Sequence, residues 1–184
     1  MGPAIDRMAT RSILLIVLCL TSLALGLNTK CPRQKTSPGR EVICYTSKSN
    51  VKLLEDSICR CTTLVHQGHN IHNLSISDFQ DFSKELKELY PPLQFVISVY
   101  DPAGILKTSG TSRQTAAVRL AGILNEVDGV ELNVTAGSKE RLYHFVKGLK
   151  DEMVRKSIDK RILMALPTKP EELAKQFDLK ELSK

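Results

Sequence analysis

Along residues 126–137, EVDGVELNVTAG, apolar and polar side chains alternate. Val130, Leu132 and Val134 fall on one face of a strand, and Glu131, Asn133 and Thr135 on the other, because successive strand residues point to opposite sides. On either side of this segment the period changes. Across 75–90, Ile76, Phe79, Phe82, Leu86 and Leu89 recur at helical spacing until Pro91 and Pro92 stop the pattern. Across 112–126, Ala116, Ala117, Leu120 and Leu124 share one side, and 138–156 carries the strongest amphipathic stripe, Leu142, Phe145, Val146, Leu149 and Met153. Thr168 followed by Glu171 has the spacing of a capping box and predicts a short helix through Leu173 and Phe177. EVICYT (41–46), TTLVHQ (62–67), LQFVISVY (93–100) and RILMALP (161–167) read as the other strands.

Strands alternating with amphipathic helices imply right-handed βαβ units and a parallel sheet. A closed eightfold barrel takes about 250 residues, more than the 184 of this chain. Two architectures remain, an open doubly wound sheet or the opening units of a barrel. The polar face of 126–137 decides between them. A parallel strand flanked by helices is covered on both sides, so Glu131, Asn133 and Thr135 need a polar interior. The lumen of a barrel provides one, and near the carboxyl ends of the strands it becomes an active site. The expected fold is therefore α/β, a parallel (β/α) barrel of the TIM type with about the first five βα units present, over 41–184. A chain ending there leaves its first and last strands as open edges, so either the true molecule is longer than this sequence or a protein partner or second copy pairs with them.

The amino terminus changes the setting. Arg7 and Arg11 precede the apolar run SILLIVLCLTSLALG, too short to span a bilayer, and Ala24 and Gly26 offer a cleavage site. Residues 1–26 read as a signal peptide and 27–40 as a polar, disulfide-tethered arm, so the expected location is extracellular, with no membrane anchor. Of the five cysteines, Cys19 lies in the leader, and the remaining four imply two disulfides. Cys59 and Cys61 are too close to pair comfortably, which sends their bonds back to Cys31 and Cys44. The net charge of +6 is spread among interleaved lysines and glutamates, with no basic and aromatic stripe for nucleic acid.

The segment DGVELNVT resembles a degenerate form of the D-G-x-D-x-D-x-E signature of family-18 glycoside hydrolases, the chitinases and chitinase-like lectins. Asp128, Gly129, Val130 and Leu132 fit it, Glu131 is an acidic variant, Asn133 replaces an aspartate, and Thr135 stands at the place of the catalytic glutamate. ELYPPLQFVISV resembles the family's third-strand segment, KERLYHFVKGLKDEM the helix after the signature, and the Cys44 to Cys61 spacing a disulfide joining the first two βα units. The resemblance implies a chitin or chito-oligosaccharide ligand and no cofactor. It also implies lost catalysis. The family's glutamate protonates the glycosidic oxygen while the substrate acetamide attacks, and a threonine hydroxyl is no general acid near neutral pH. Glu131 lies four residues earlier, about 13 Å down the strand. With no Trp in the chain, Tyr45, Tyr100 and Asp101 are the candidates for ligand contact.

Other patterns yield simpler readings. His66, His69 and His72, close behind Cys59 and Cys61, have zinc-ligand residue types, but a secreted chain favours disulfides, and a polar loop is the plainer explanation; no metal is expected. Asp101, Asp128 and Glu131 could form a two-carboxylate glycosidase site, against which stands a salt-bridged relic. KTSGTSRQT (107–115) lacks phosphate-loop spacing and reads as a loop ending in a helix cap. Sequons occur at Asn73 and Asn133. Asn73 should be accessible and glycosylated, whereas Asn133, inside a closed lumen, would be shielded.

Overall fold

A computed structural model describes residues 40–47, 49–101, 104, 109–133 and 139–182. Five strands form one all-parallel sheet in the order β1-β2-β3-β4-β5: β1 is Ile43–Thr46, β2 Thr63–Asn70, β3 Gln94–Tyr100, β4 Gly129–Asn133 and β5 Arg161–Met164. Each strand pairs with the next in sequence. That order contains no reversal, the feature that defines a doubly wound sheet. The principal connecting helices are α2 (Gln80–Leu89), α3 (Gly110–Ile123) and α4 (Lys139–Arg155); short helices α1 (Glu55–Ile58), α5 (Pro170–Gln176) and α6 (Leu179–Leu182) complete the set. No helix among the described residues is long and apolar enough to cross a membrane.

The strand and helix boundaries differ from the pattern reading where local chemistry intervenes. The 75–90 helix is split: Ser75 caps a 3-10 turn, Ile76–Asp78, in a reciprocal capping box with Asp78, and α2 begins only at Gln80. Ile76 consequently lies outside the buried stripe, at 39 % exposure. Ser109 caps α3 by accepting from the Ser112 amide, so that helix starts at Gly110. The Thr168–Glu171 box is not used. Helix α5 starts instead at Pro170, whose fixed φ suits the first turn, behind Lys169. The 3-10 turn Val51–Leu54 and helices α1 and α6 have no counterpart in the sequence reading. They are too short for periodicity to show.

The sheet's two faces have separate interiors. Leu64, Phe95, Ile97, Val99, Val130 and Leu132 join the helix stripes of α2, α3 and α4 in one apolar core. Val65 and Val96 are also fully buried but stand outside that core, on the opposite face. This second face is strongly concave. In a flat sheet, side chains on β2 and β5 stand roughly perpendicular and about 14 Å apart. Arg161 on β5 nevertheless donates to the Thr63 hydroxyl on β2 at 3.0 Å and to Glu41, just before β1, at 2.7 Å. Only a sheet curled toward this face brings them together. Gly129 permits the curl: a Cβ there would sit 2.8 Å from the Arg161 carbonyl oxygen and 3.3 Å from the Val96 methyl.

Candidate functional site on the concave face

Glu131 lies at the centre of the concave face. It is 5 % exposed, and both carboxylate oxygens are occupied: the Ser98 hydroxyl donates to one at 2.7 Å, the Tyr45 phenol to the other at 2.8 Å. Ser98 comes from the adjacent β3, in direct register with Glu131, and Tyr45 reaches over from β1. A buried carboxylate without such donors would carry a large desolvation cost. The acceptance of its proton by Glu131 raises the Tyr45 phenol above its ordinary pKa, with burial and the carboxylate's charge adding to the shift. Tyr45 itself is 54 % exposed, so one edge of its ring faces outward from the sheet.

At the amino-terminal end of the strands, a second network runs through Glu41, Thr63 and Arg161. The Thr63 hydroxyl donates to Glu41 at 2.7 Å, and Arg161 bridges both. The hydrogen bond from Thr63, then that from Arg161, holds the Glu41 carboxyl below its ordinary pKa, against a smaller opposing effect of burial. Asp128 is also at this end. It accepts from the Phe95 amide at 3.0 Å and from Lys160 at 3.1 Å, stitching β3 to the strand that follows. Asp128 is thus a structural staple, distant along the strand from any catalytic rim.

The carboxyl-terminal rim carries Tyr100 and Asn133, which face each other in register on β3 and β4. Tyr100 is 40 % exposed, and Asn133 is exposed. Asp101 turns away. Its side chain is 1 % exposed and contacts His72 Nε2 at 3.2 Å, while Arg119 donates to the His72 carbonyl. Asp101 therefore positions His72 rather than presenting a carboxylate on the concave face. Asn73, next to His72, is exposed in the turn after β2.

Strand β2 extends past Gln67 to Asn70, so His69 joins His66 on the strand, and His72 follows in the turn. Between His66 and His69 the register shifts by a bulge, with Gly68 at φ 98°, and the extra residue turns both rings toward one another, Nδ1 to Nε2 at 2.7 Å. Phe79, Phe82 and Phe95 surround them, and burial lowers the His69 pKa, partly offset by Asp78. Among the described residues no group of three or more His, Cys, Asp or Glu is arranged to hold a metal ion. A groove of about 440 Å³ lies on the other side of the molecule, between α3 and α4, lined by Arg113, Gln114, His144, Lys147 and Asp151.

Cys44 and Cys61 form a disulfide, and Cys59 is also disulfide-bonded. Cys31, Thr135 and the segments 1–26 and 27–39 lie outside the described residues. The sequence reading brought forward Tyr45, Glu131 and Tyr100 but passed over Ser98 and Arg161. Each had a signal. Ser98 is a small hydroxyl residue set between the apolar Ile97 and Val99, and Arg161 opens a strand whose neighbour begins with glycine. The chain matches no family model, no curated protein and no solved structure.

Proposed function

We propose that this chain is a secreted, catalytically silent chitinase-like protein, built as the first five units of a TIM-type (β/α) barrel, whose concave face binds chitin, chito-oligosaccharide or a related glycan. The observation that carries the reading is the state of Glu131. The acidic side chain in the middle of the degenerate signature is spent on holding Ser98 and Tyr45, so neither of its oxygens is left free for glycoside hydrolysis. What remains on that face suits binding: the Asn133 amide and the Tyr100 hydroxyl at the rim, with the exposed parts of Tyr45 and Tyr100 as stacking surfaces. Consecutive strand order and inward curl support the barrel architecture. No cofactor, nucleic acid or membrane enters this function.

Calorimetric titration of the full chain with chitotetraose tests it. Binding without release of reducing sugar is expected, with Tyr45→Ala weakening the affinity roughly tenfold, the equivalent of about 1.4 kcal/mol. Turnover abolished by Glu131→Gln would favour the alternative, a diverged, weakly active chitin hydrolase. A second reading, a protein-interaction role, is favoured by one observation. Strand β1 is an edge in this sheet, and Ile43 on it and Val42 just before it are each 40 % exposed. A homo-oligomer or protein partner would cover that edge, and sedimentation of the secreted protein would reveal the former.

A further inference from the structure

Two imidazoles meet where the surroundings oppose a charge. His66, 8 % exposed, and the half-buried His69 approach Nδ1 to Nε2 at 2.7 Å. Buried phenyl rings enclose them: centre to centre, Phe82 lies 5.4 Å and Phe95 6.4 Å from His66, and Phe79 lies 5.7 Å from His69. The β2 bulge makes the contact, because Gly68 at φ 98° returns His69 to the face that carries His66. A hydrogen bond of this length needs one facing nitrogen to donate and the other to accept. The pair thereby joins the bulged half of β2 to the rings at the start of α2. Of the charged groups around His69, Asp78 at the end of the 3-10 turn acts on it. Helix α2 brings Phe82, with its own Asp81, Lys84 and Glu85 exposed; β3 brings Phe95 and Ile97, and β1 brings Thr46, in register with His66. His72, in the turn beyond the strand, faces Asp101 instead.

We propose that the His66–His69 contact is an acid-released catch, which holds the start of α2 on the bulged half of β2 and lets go when the pair takes up protons from solvent. Those protons bind ring lone pairs, and no other bond is made or broken. The first places a full charge among the phenyl rings, where desolvation opposes it. A proton on the accepting nitrogen leaves two N–H groups aimed at one another. Burial lowers the His69 pKa, and Asp78 offsets this only in part. Folded His69 therefore binds a proton less readily than the unfolded chain does. Its contribution to stability is complete above the ordinary 6.5 and is lost as the pH falls from there through the lower, folded-state value. Release also slackens the adjoining strand end, since Asn70 stands in register with Tyr100 and the Ile71 amide donates to the Tyr100 carbonyl.

Hydrogen exchange on the full chain, corrected for the intrinsic pH dependence of amide exchange, tests the catch. The reporters are the Ser83 amide, which donates to the Phe79 carbonyl, and the amides of β2 from His66 to Asn70. Helix α4, which bears none of the contacting rings, is the reference. With one proton taken up on opening, protection of the reporters should fall about tenfold per pH unit below about 6.5 while α4 holds level. No fall, or a fall shared equally by α4, overturns the proposal. His69→Gln keeps a polar side chain without a titrating ring, and should make the reporters insensitive to pH over the same range; retained sensitivity overturns it too. If that variant does not fold, the assigned ring-proton signals of the unaltered chain decide. His66 and His69 are expected to titrate together below about 6.5, and independent titration at or above that value rules the catch out.

Discussion

At mid-strand, β3 and β4 present two buried faces of different chemistry. Toward the helices they offer Phe95, Ile97, Val99, Val130 and Leu132, packed without a polar atom among their side chains. Toward the concavity the same strands offer Ser98 and Glu131, equally dry but joined by hydrogen bonds. The first face gains from area removed from water, which depends little on direction. The second gains little net energy from its bonds, because each replaces a bond to water, yet leaving one unmade is costly. Apolar packing supplies stability here, and the polar contacts fix how far the sheet curls.

The contrast can be broken most severely from the helix side. Leu132→Ala opens a cavity in a core where the side chain is fully buried, and an unfolding free energy lower by about 3 to 4 kcal/mol is expected in urea melts. A loss below 1 kcal/mol would mean that the two faces are not packed differently. Ser98→Ala, on the neighbouring strand but the opposite face, strips one donor from a buried carboxylate. It should cost about 2 kcal/mol. The same substitution should also narrow the gap between Tyr45 and the other phenols in an alkaline titration, if Glu131 shifts away to find water.

The smallest effect concerns acid. Because the folded state depresses the Glu41 pKa below its ordinary 4.5, its contribution is complete above that value. It is lost as the pH falls through the lower, folded-state pKa. Arg161→Met should flatten this part of the stability profile by lowering the plateau above it, slightly because Glu41 is well exposed, while leaving the strongly acid end nearly unchanged. A profile of unaltered slope would detach Arg161 from the Glu41 network.

How much of this was legible beforehand follows from the range of each interaction. Alternation across 129–133 identified the two faces of β4, because facing depends only on the neighbouring residue. The three long helices showed for the same reason. The bulge at Gly68 did not, since one glycine in HQGHNIH fits a loop as readily as a kinked strand. Nor did the ties from Arg161 to Glu41 and Thr63, which join residues 120 and 98 positions apart and depend on curvature that no local pattern encodes. For the site, the identity of Glu131 was readable, and its occupation by Tyr45 was not.

The consecutive strand order also bears on how the chain assembles. Every strand docks on the one made just before it, so no segment waits for a later partner, and the sheet can grow unit by unit as the polypeptide emerges. The exceptions are the ties across the concave face, Tyr45 to Glu131 and Thr63 to Arg161 among them, and the Glu41–Arg161 pair is the longest in sequence of these. It cannot close until β5 has arrived. It therefore acts as a latch that registers the arrival of β5, with a single guanidinium, that of Arg161, tying the two edges of the described sheet together.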